Sequence, residues 1–127
     1  MNWTIDKCRP ICPQICEQVC LRIALGEFKA GERLLSVRDV ALAAGVNPNT
    51  VQKSFDSLEE KGILYSQRGS GWYVSDDISF ARHALGEIYA EKTAQYFAEM
   101  EALGMNKDEV KKYVAAWQID ENGQKEP

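Results

Sequence analysis

The 127-residue sequence predicts a mainly α-helical chain with one small β-hairpin. Three observations carry that expectation. Apolar residues recur at helical spacing from Pro10 to Leu25. Two capped helical segments follow, separated by a few residues around Gly45, and two short runs of β-branched and aromatic residues then flank a glycine-bearing turn.

In the first helical segment, Ile11, Ile15, Val19 and Ile23 repeat every four residues, with Pro10 or Pro13 in the first turn and an end near Gly26. Gly26 to Gly31 reads as a loop that delivers the chain to Leu34-Leu35. Ser36-Val37-Arg38-Asp39 matches a capping box and opens a short helix. Val37, Val40, Ala41 and Ala44 give that helix a small apolar face, and Gly45 supplies the left-handed residue that stops it. Asn47 is a good N-cap and Pro48 fits the first position of the next helix, in which Val51, Phe55 and Leu58 mark a buried stripe. Two helices joined so tightly form a helix-turn-helix.

Ile63-Leu64-Tyr65-Ser66-Gln67 and Trp72-Tyr73-Val74, on either side of Arg68-Gly69-Ser70-Gly71, read as a hairpin, the wing of a winged helix-turn-helix. Residues 1–76 are thereby expected as one winged helix-turn-helix domain. Residues 77–127 are expected as a short two-helix dimerisation region. Its first helix, Ile78 to Leu103, carries Ala81, Leu85, Ile88, Tyr89, Tyr96, Met100 and Leu103 on a broad stripe. Gly104 ends it, and Asn106 to Glu109 is a second capping box opening a helix through Val110, Tyr113, Val114 and Trp117. Asp120 to Pro127 is polar and expected to fray.

The apolar share of 45% is enough for a core. No apolar run approaches the roughly 18 residues of a membrane span, and Met1-Asn2-Trp3-Thr4-Ile5-Asp6 lacks a signal-peptide pattern, so a cytoplasmic chain without membrane contact is expected. The net charge of −4 hides an asymmetry: residues 1–76 hold nine Lys/Arg and nine Asp/Glu, residues 77–127 six and ten. Such a chain does not coat nucleic acid nonspecifically, because phosphate neutralisation needs clustered cations. Local placement of charge decides the question instead.

The available chemistry is recognition, not catalysis. The one histidine, His83, has no nucleophile motif to serve, and Arg68-Gly69-Ser70-Gly71 has too few glycines and too little spacing for a phosphate loop. No enzyme and no cofactor is expected. If Val51, Phe55 and Leu58 face the core, Asn49 and Lys53 face away, with Thr50 and Gln52 on the flanks. That polar face suits a major groove, where Asn or Gln bonds adenine and Lys reaches guanine or phosphate. The start of the helix is expected to offer free amides to a phosphate, aided by Asn47 and Thr50. Arg38 can reach the same backbone or a base edge, and Arg68, beside Gly69, can enter a minor groove. The alternative is a protein-binding adaptor that uses the hairpin and the acidic tail, and it entails no salt-dependent DNA affinity.

Pro10-Ile11 with Gln14-Ile15, Gly31-Glu32-Arg33-Leu34 with Ser36-Val37-Arg38-Asp39, Val46 to Val51, and Gly62-Ile63-Leu64 with Arg68 to Gly71 and Val74 together resemble the GntR family of bacterial transcription regulators. The resemblance covers about residues 3–75, and the Asn-Pro-Asn-Thr turn with so short a C-terminal region resembles the YtrA subfamily. It implies a dimeric, repressor-type regulator on a two-fold DNA operator. The family's DNA-contacting positions fall on Arg38, Asn47, Asn49, Thr50, Gln52, Arg68 and Gly69; Lys53 is added from helix geometry. Two departures stand out: Leu35 where the family usually has proline, expected to loosen entry to the helix bearing Arg38, and Ser54 where it usually has alanine.

The stripe of Leu85, Ile88, Tyr89, Tyr96, Met100 and Leu103 runs further than a 75-residue domain covers, which points to a partner chain and a homodimer. Two helices per chain are too few to enclose a ligand site of about 300 Å³, so no closed effector pocket is expected and any small-molecule effector is left open. Cys8, Cys12, Cys16 and Cys20 repeat every four residues, so neighbours share a helix face. Small apolar filling is the reading adopted, with no metal site; a metal- or redox-sensing site at Cys12, Cys16 and Cys20 is the alternative.

Overall fold

In the computed structural model, which describes residues 2–117, helix α1 spans Ile11–Ala24. Pro10 is its N-cap residue and Pro13 lies in its first turn, where a missing N–H leaves no hydrogen bond unmade. Ile15, Val19, Cys20 and Ile23 are buried, and Ile11 packs at the edge of the core. Gln14 is buried as well. Its side-chain oxygen accepts from the Asp6 N–H (2.8 Å) and its amide donates to the carbonyls of Asp6 (2.8 Å) and Pro10 (2.9 Å), so the N-terminal segment is tied to the helix.

Helix α2 (Val37–Ala44) starts at Ser36, whose hydroxyl accepts from the Asp39 N–H at 3.0 Å. Only this half of the expected capping box forms among the described residues. The reciprocal bond does form between Asn106 and Glu109, where the Glu carboxylate accepts from the Asn106 N–H at 3.2 Å. Glu is one methylene longer than Asp, and that length lets it reach back. Entry to α2 is held despite Leu35, because the Leu34 N–H donates to the Trp72 carbonyl at 2.8 Å. Gly45, at φ +69°, ends α2, and α3 (Pro48–Glu60) begins three residues later.

Strands β1 (Leu64–Gln67) and β2 (Gly71–Val74) pair antiparallel with Leu64 opposite Val74 and Gln67 opposite Gly71. Residues 68–70 form the turn. The segment before α2 lies along the outer edge of β2: Arg33 bridges Tyr73, and the Val74 N–H donates to the Glu32 carbonyl at 2.9 Å. An edge strand with spare hydrogen-bonding groups is thus covered. Helix α3 is the element on which the others pack, touching α1, α2 and β1. Phe55 has no exposed surface and meets the Trp72 ring edge-on at 5.6 Å, so Trp72 braces the hairpin against the core.

The remaining helices are α4 (Ser79–Ala102) and α5 (Lys107–Ala116). The chain forms two compact units, Met1–Ile88 and Tyr89–Pro127, with the division inside α4. In the first unit Ala81 is buried, Ile78 and Ala84 pack on the core, and Leu85 and Ile88 are half-buried. In the second, Gly104 (φ +98°) turns the chain into α5, Val110 is buried, and Tyr113 and Trp117 pack ring on ring at 5.6 Å. Asp120 to Pro127 lies outside the described residues. Among those that are described, no helix is long and apolar enough to cross a membrane.

Two glycines give opposite expectations in urea denaturation followed by circular dichroism. Gly45→Ala forces a side chain into a left-handed conformation and costs about 1–2 kcal/mol. Gly86 sits within α4 with open space where a Cβ would go, so Gly86→Ala stabilises by about 0.5–1 kcal/mol.

Candidate nucleic-acid interface

Helix α3 is divided along its length. Val51, Ser54, Phe55 and Leu58 are buried, whereas Asn49, Gln52, Lys53 and Asp56 are exposed and Thr50 is half-buried. An acidic side chain intrudes on the polar face: Asp56 accepts a hydrogen bond from the Gln52 amide at 2.9 Å and holds it along the helix. Arg38 is exposed in the first turn of α2, Asn47 is exposed at the start of α3, and Arg68 and Gly69 are exposed at the tip of the hairpin.

The start of α3 differs from expectation. Pro48 has no N–H, the Asn49 N–H is taken by the Asn47 side chain at 2.8 Å, and the Thr50 N–H bonds the Asn47 carbonyl at 3.0 Å. The first turn therefore has no free amide for a phosphate. The proline and the N-cap that start the helix so firmly also use up its donors, and any anion contact there falls to side chains.

Two positioning residues gave no sequence signal. Glu59, on α3, accepts from both the Ser66 N–H (3.0 Å) and the Ser66 hydroxyl (2.9 Å), and this clamps β1 to the end of α3 and fixes where the wing stands. Lys7 donates to the Gly45 carbonyl at 3.0 Å across 38 positions, fastening the N-terminal segment to the turn between α2 and α3. The wing itself is stiffened on one side by Tyr65 stacked on Tyr73 at 5.5 Å and by a hydrogen bond between Ser70 and the Tyr73 hydroxyl. Gly69, at φ +78°, makes the turn that presents Arg68.

Behind α3 lie the cysteines. Cys8 is exposed, Cys12 and Cys16 are half-buried and Cys20 is buried. The Ser54 hydroxyl bonds the Thr50 carbonyl at 2.8 Å and lies 3.2 Å from the Cys12 sulfur, so the departure from alanine at this position is satisfied internally. Cys16 in turn donates to the Ser54 carbonyl at 3.6 Å. Burial, then the neighbouring thiols Cys12 and Cys20, push the Cys16 thiol up to about 12, and burial pushes Cys20 up to about 11. Among the described residues no three His, Cys, Asp or Glu side chains come together in a group that could hold a metal ion.

In the second unit, a cleft of about 770 Å³ is walled by Tyr96, Phe97, Tyr113 and Trp117, with Lys92 and Lys111 also on its lining. Tyr89, Tyr96 and Leu103 of the expected stripe are exposed here, Leu103 at 81%, and Met100 is half-buried.

Residues 13–74 match the family described as bacterial regulatory proteins, gntR family. The chain is similar to the HTH-type transcriptional regulator YhcF of Bacillus subtilis, 30% identical over 110 residues that make up 87% of this chain and 91% of that protein. It is also similar to the HTH-type transcriptional repressor YtrA of Bacillus subtilis, 44% identical over 52 residues, 41% of this chain and 40% of that protein. Among solved structures, a GntR family transcriptional regulator from Listeria monocytogenes is 34% identical with a TM-score of 0.74, over 90% of this chain and all of that one.

The thiols behind α3 are expected to differ in reactivity, because only the thiolate attacks. In iodoacetamide labelling at pH 8 read by mass spectrometry, Cys8 reacts first, and Cys16 and Cys20 lag by about 100-fold or more. Equal rates at all three would show that the seam between α1 and α3 opens freely.

Proposed function

Since the chain belongs to the GntR family of bacterial regulatory proteins and is a winged helix-turn-helix regulator of transcription, we propose that it is a homodimeric repressor of a two-fold DNA operator. The observation that carries this reading is the division of α3, which is apolar and anchored on one side and polar and exposed on the other. Helix α3 enters the major groove with Asn49 and Gln52 reading adenine edges and Lys53 on guanine or phosphate. Arg38, Asn47 and Thr50 contact the sugar-phosphate backbone, and Arg68 enters the minor groove where Gly69 lets the wing approach closely. Residues 1–76 are the DNA-binding part and residues 77–127 the dimerisation part.

Dimerisation is supported by where apolar surface is left over. Tyr89, Tyr96, Leu103, Tyr113, Val114 and Trp117 are all exposed in the second unit, a concentration that a lone two-helix unit has no means to cover. Leu85, Ile88 and Met100 complete the seam. Two-fold symmetry then pairs the reading helices over half-sites about one helical turn apart. Repression is supported by the likeness to YtrA, itself named a repressor. The protein works in the cytoplasm by recognition alone, with no chemical step and no cofactor.

Sites selected from random DNA should contain a two-fold motif. Against that motif, Arg38→Ala and Arg68→Ala each weaken binding by about tenfold or more, and the slope of affinity against salt falls by about one per lost phosphate contact. Binding that is weak and indifferent to both arginines favours the adaptor reading instead. Sedimentation of the wild type gives twice the chain mass, while Tyr89→Glu places a charge in the seam and gives monomers with weakened operator binding; a wild-type monomer sinks the dimer.

A further inference from the structure

We propose that Cys12 and Cys16 form a two-thiolate site for a soft, two-coordinate cation of the Cu(I) type, and that filling it lowers the affinity of α3 for DNA. The coupling half rests on the operator reading above; the site itself does not.

The two sulfurs stand on consecutive turns of α1, where residues four apart have Cβ atoms about 5–6 Å from each other. Two metal–thiolate bonds of about 2.3 Å laid end to end ask for sulfurs about 4.6 Å apart, a spacing that rotation about the Cα–Cβ bonds gives two side chains rooted that close together. Both thiols converge on one residue of the facing helix: the Cys12 sulfur lies 3.2 Å from the Ser54 hydroxyl, and Cys16 donates to the Ser54 carbonyl at 3.6 Å. Both are half-buried, open enough for an ion to enter and sheltered enough to retain it. The donor count selects the ion. Zn(II) asks for four ligands, whereas no three His, Cys, Asp or Glu side chains meet among the described residues. Cu(I) is matched by soft thiolates and is content with two.

The step needs no oxidant. Two S–H bonds break, two S–Cu bonds form, two protons leave to water, and copper remains Cu(I), so two neutral thiols and one cation become a bis-thiolate carrying a single negative charge. Lys61, the residue that caps the end of α3, favours the anion, while Cys20 and burial oppose it. Two protons leave for each ion bound, so binding tightens as pH rises. Filling the site removes the S–H donor from the Ser54 carbonyl and sets an anionic sulfur against it. Ser54 lies one residue from Lys53, and its hydroxyl bonds the Thr50 carbonyl, so the disturbance falls on the segment assigned to DNA.

The test uses the reduced full chain under anaerobic conditions with Cu(I) presented by the chromogenic chelator bicinchoninate. The wild type withdraws one Cu(I) per chain and releases two protons per ion. Cys12→Ser and Cys16→Ser each weaken that binding by about 100-fold or more, and Cys8→Ser leaves it unchanged. Circular dichroism verifies folding, and Cys12→Ala and Cys16→Ala replace any serine variant that fails it. In parallel, Cu(I) weakens wild-type binding to the selected DNA motif by about tenfold or more and leaves the Cys12→Ser, Cys16→Ser double variant unaffected. No copper withdrawn, or equal withdrawal by the double variant, overturns the site and leaves the thiols as apolar filling. Copper bound at the pair with DNA affinity unchanged overturns the coupling. A metal-free protein that binds no DNA sinks the operator reading, while the copper and proton counts still decide the site.

Discussion

Helix α3 buries Val51, Ser54, Phe55 and Leu58 and keeps Asn49, Gln52 and Lys53 in water, and the first unit is arranged around that division. A helix of 13 residues is marginal alone, so its stability comes from the face it buries. Phe55 concentrates that dependence. Fully enclosed, it meets Trp72 edge-on and so joins α3 to the hairpin. A fully polar, exposed face is tolerated because the opposite face is so thoroughly anchored.

Holding the wing in place is a separate matter, handled mostly by polar groups. The Glu59 carboxylate receives two hydrogen bonds from Ser66, and the segment through Arg33 pairs along the free edge of β2. The hairpin is thereby fixed from both sides, one bond set reaching α3 and the other the chain leading into α2. Arg68 is then carried on a rigid turn rather than a loose loop.

The two units put their polar and apolar surface to different uses. Residues 1–88 set ten cations against eleven anions around an enclosed core; residues 89–127 are acidic, with five cations against eight anions, and the described part leaves aromatic rings bare. An acidic region is repelled by DNA, and its exposed rings suit another protein surface. Between α1 and α3 the cysteine lane adds softness to an otherwise tightly filled seam, with Ser54 the one polar contact shared by two thiols.

Local pattern alone determined most of the fold. Apolar spacing placed α1 and α3, Ser36, Asn47 and Asn106 marked helix starts, Gly45 marked a stop, and the hairpin followed from β-branched and aromatic runs around Gly69. These features depend on interactions within a few residues, which is the range a sequence pattern records. The polar face of α3 was legible for the same reason, since helical period fixes which residues oppose the buried stripe. What only the tertiary structure decided depends on distant partners or on side-chain reach. Asp39 falls short where Glu109 succeeds, Lys7 finds Gly45, and Glu59 finds Ser66. The cysteines show both sides of this limit: their period was plain in the sequence, but that they face Ser54 on α3 depends on how two helices pack, and no local interaction encodes that.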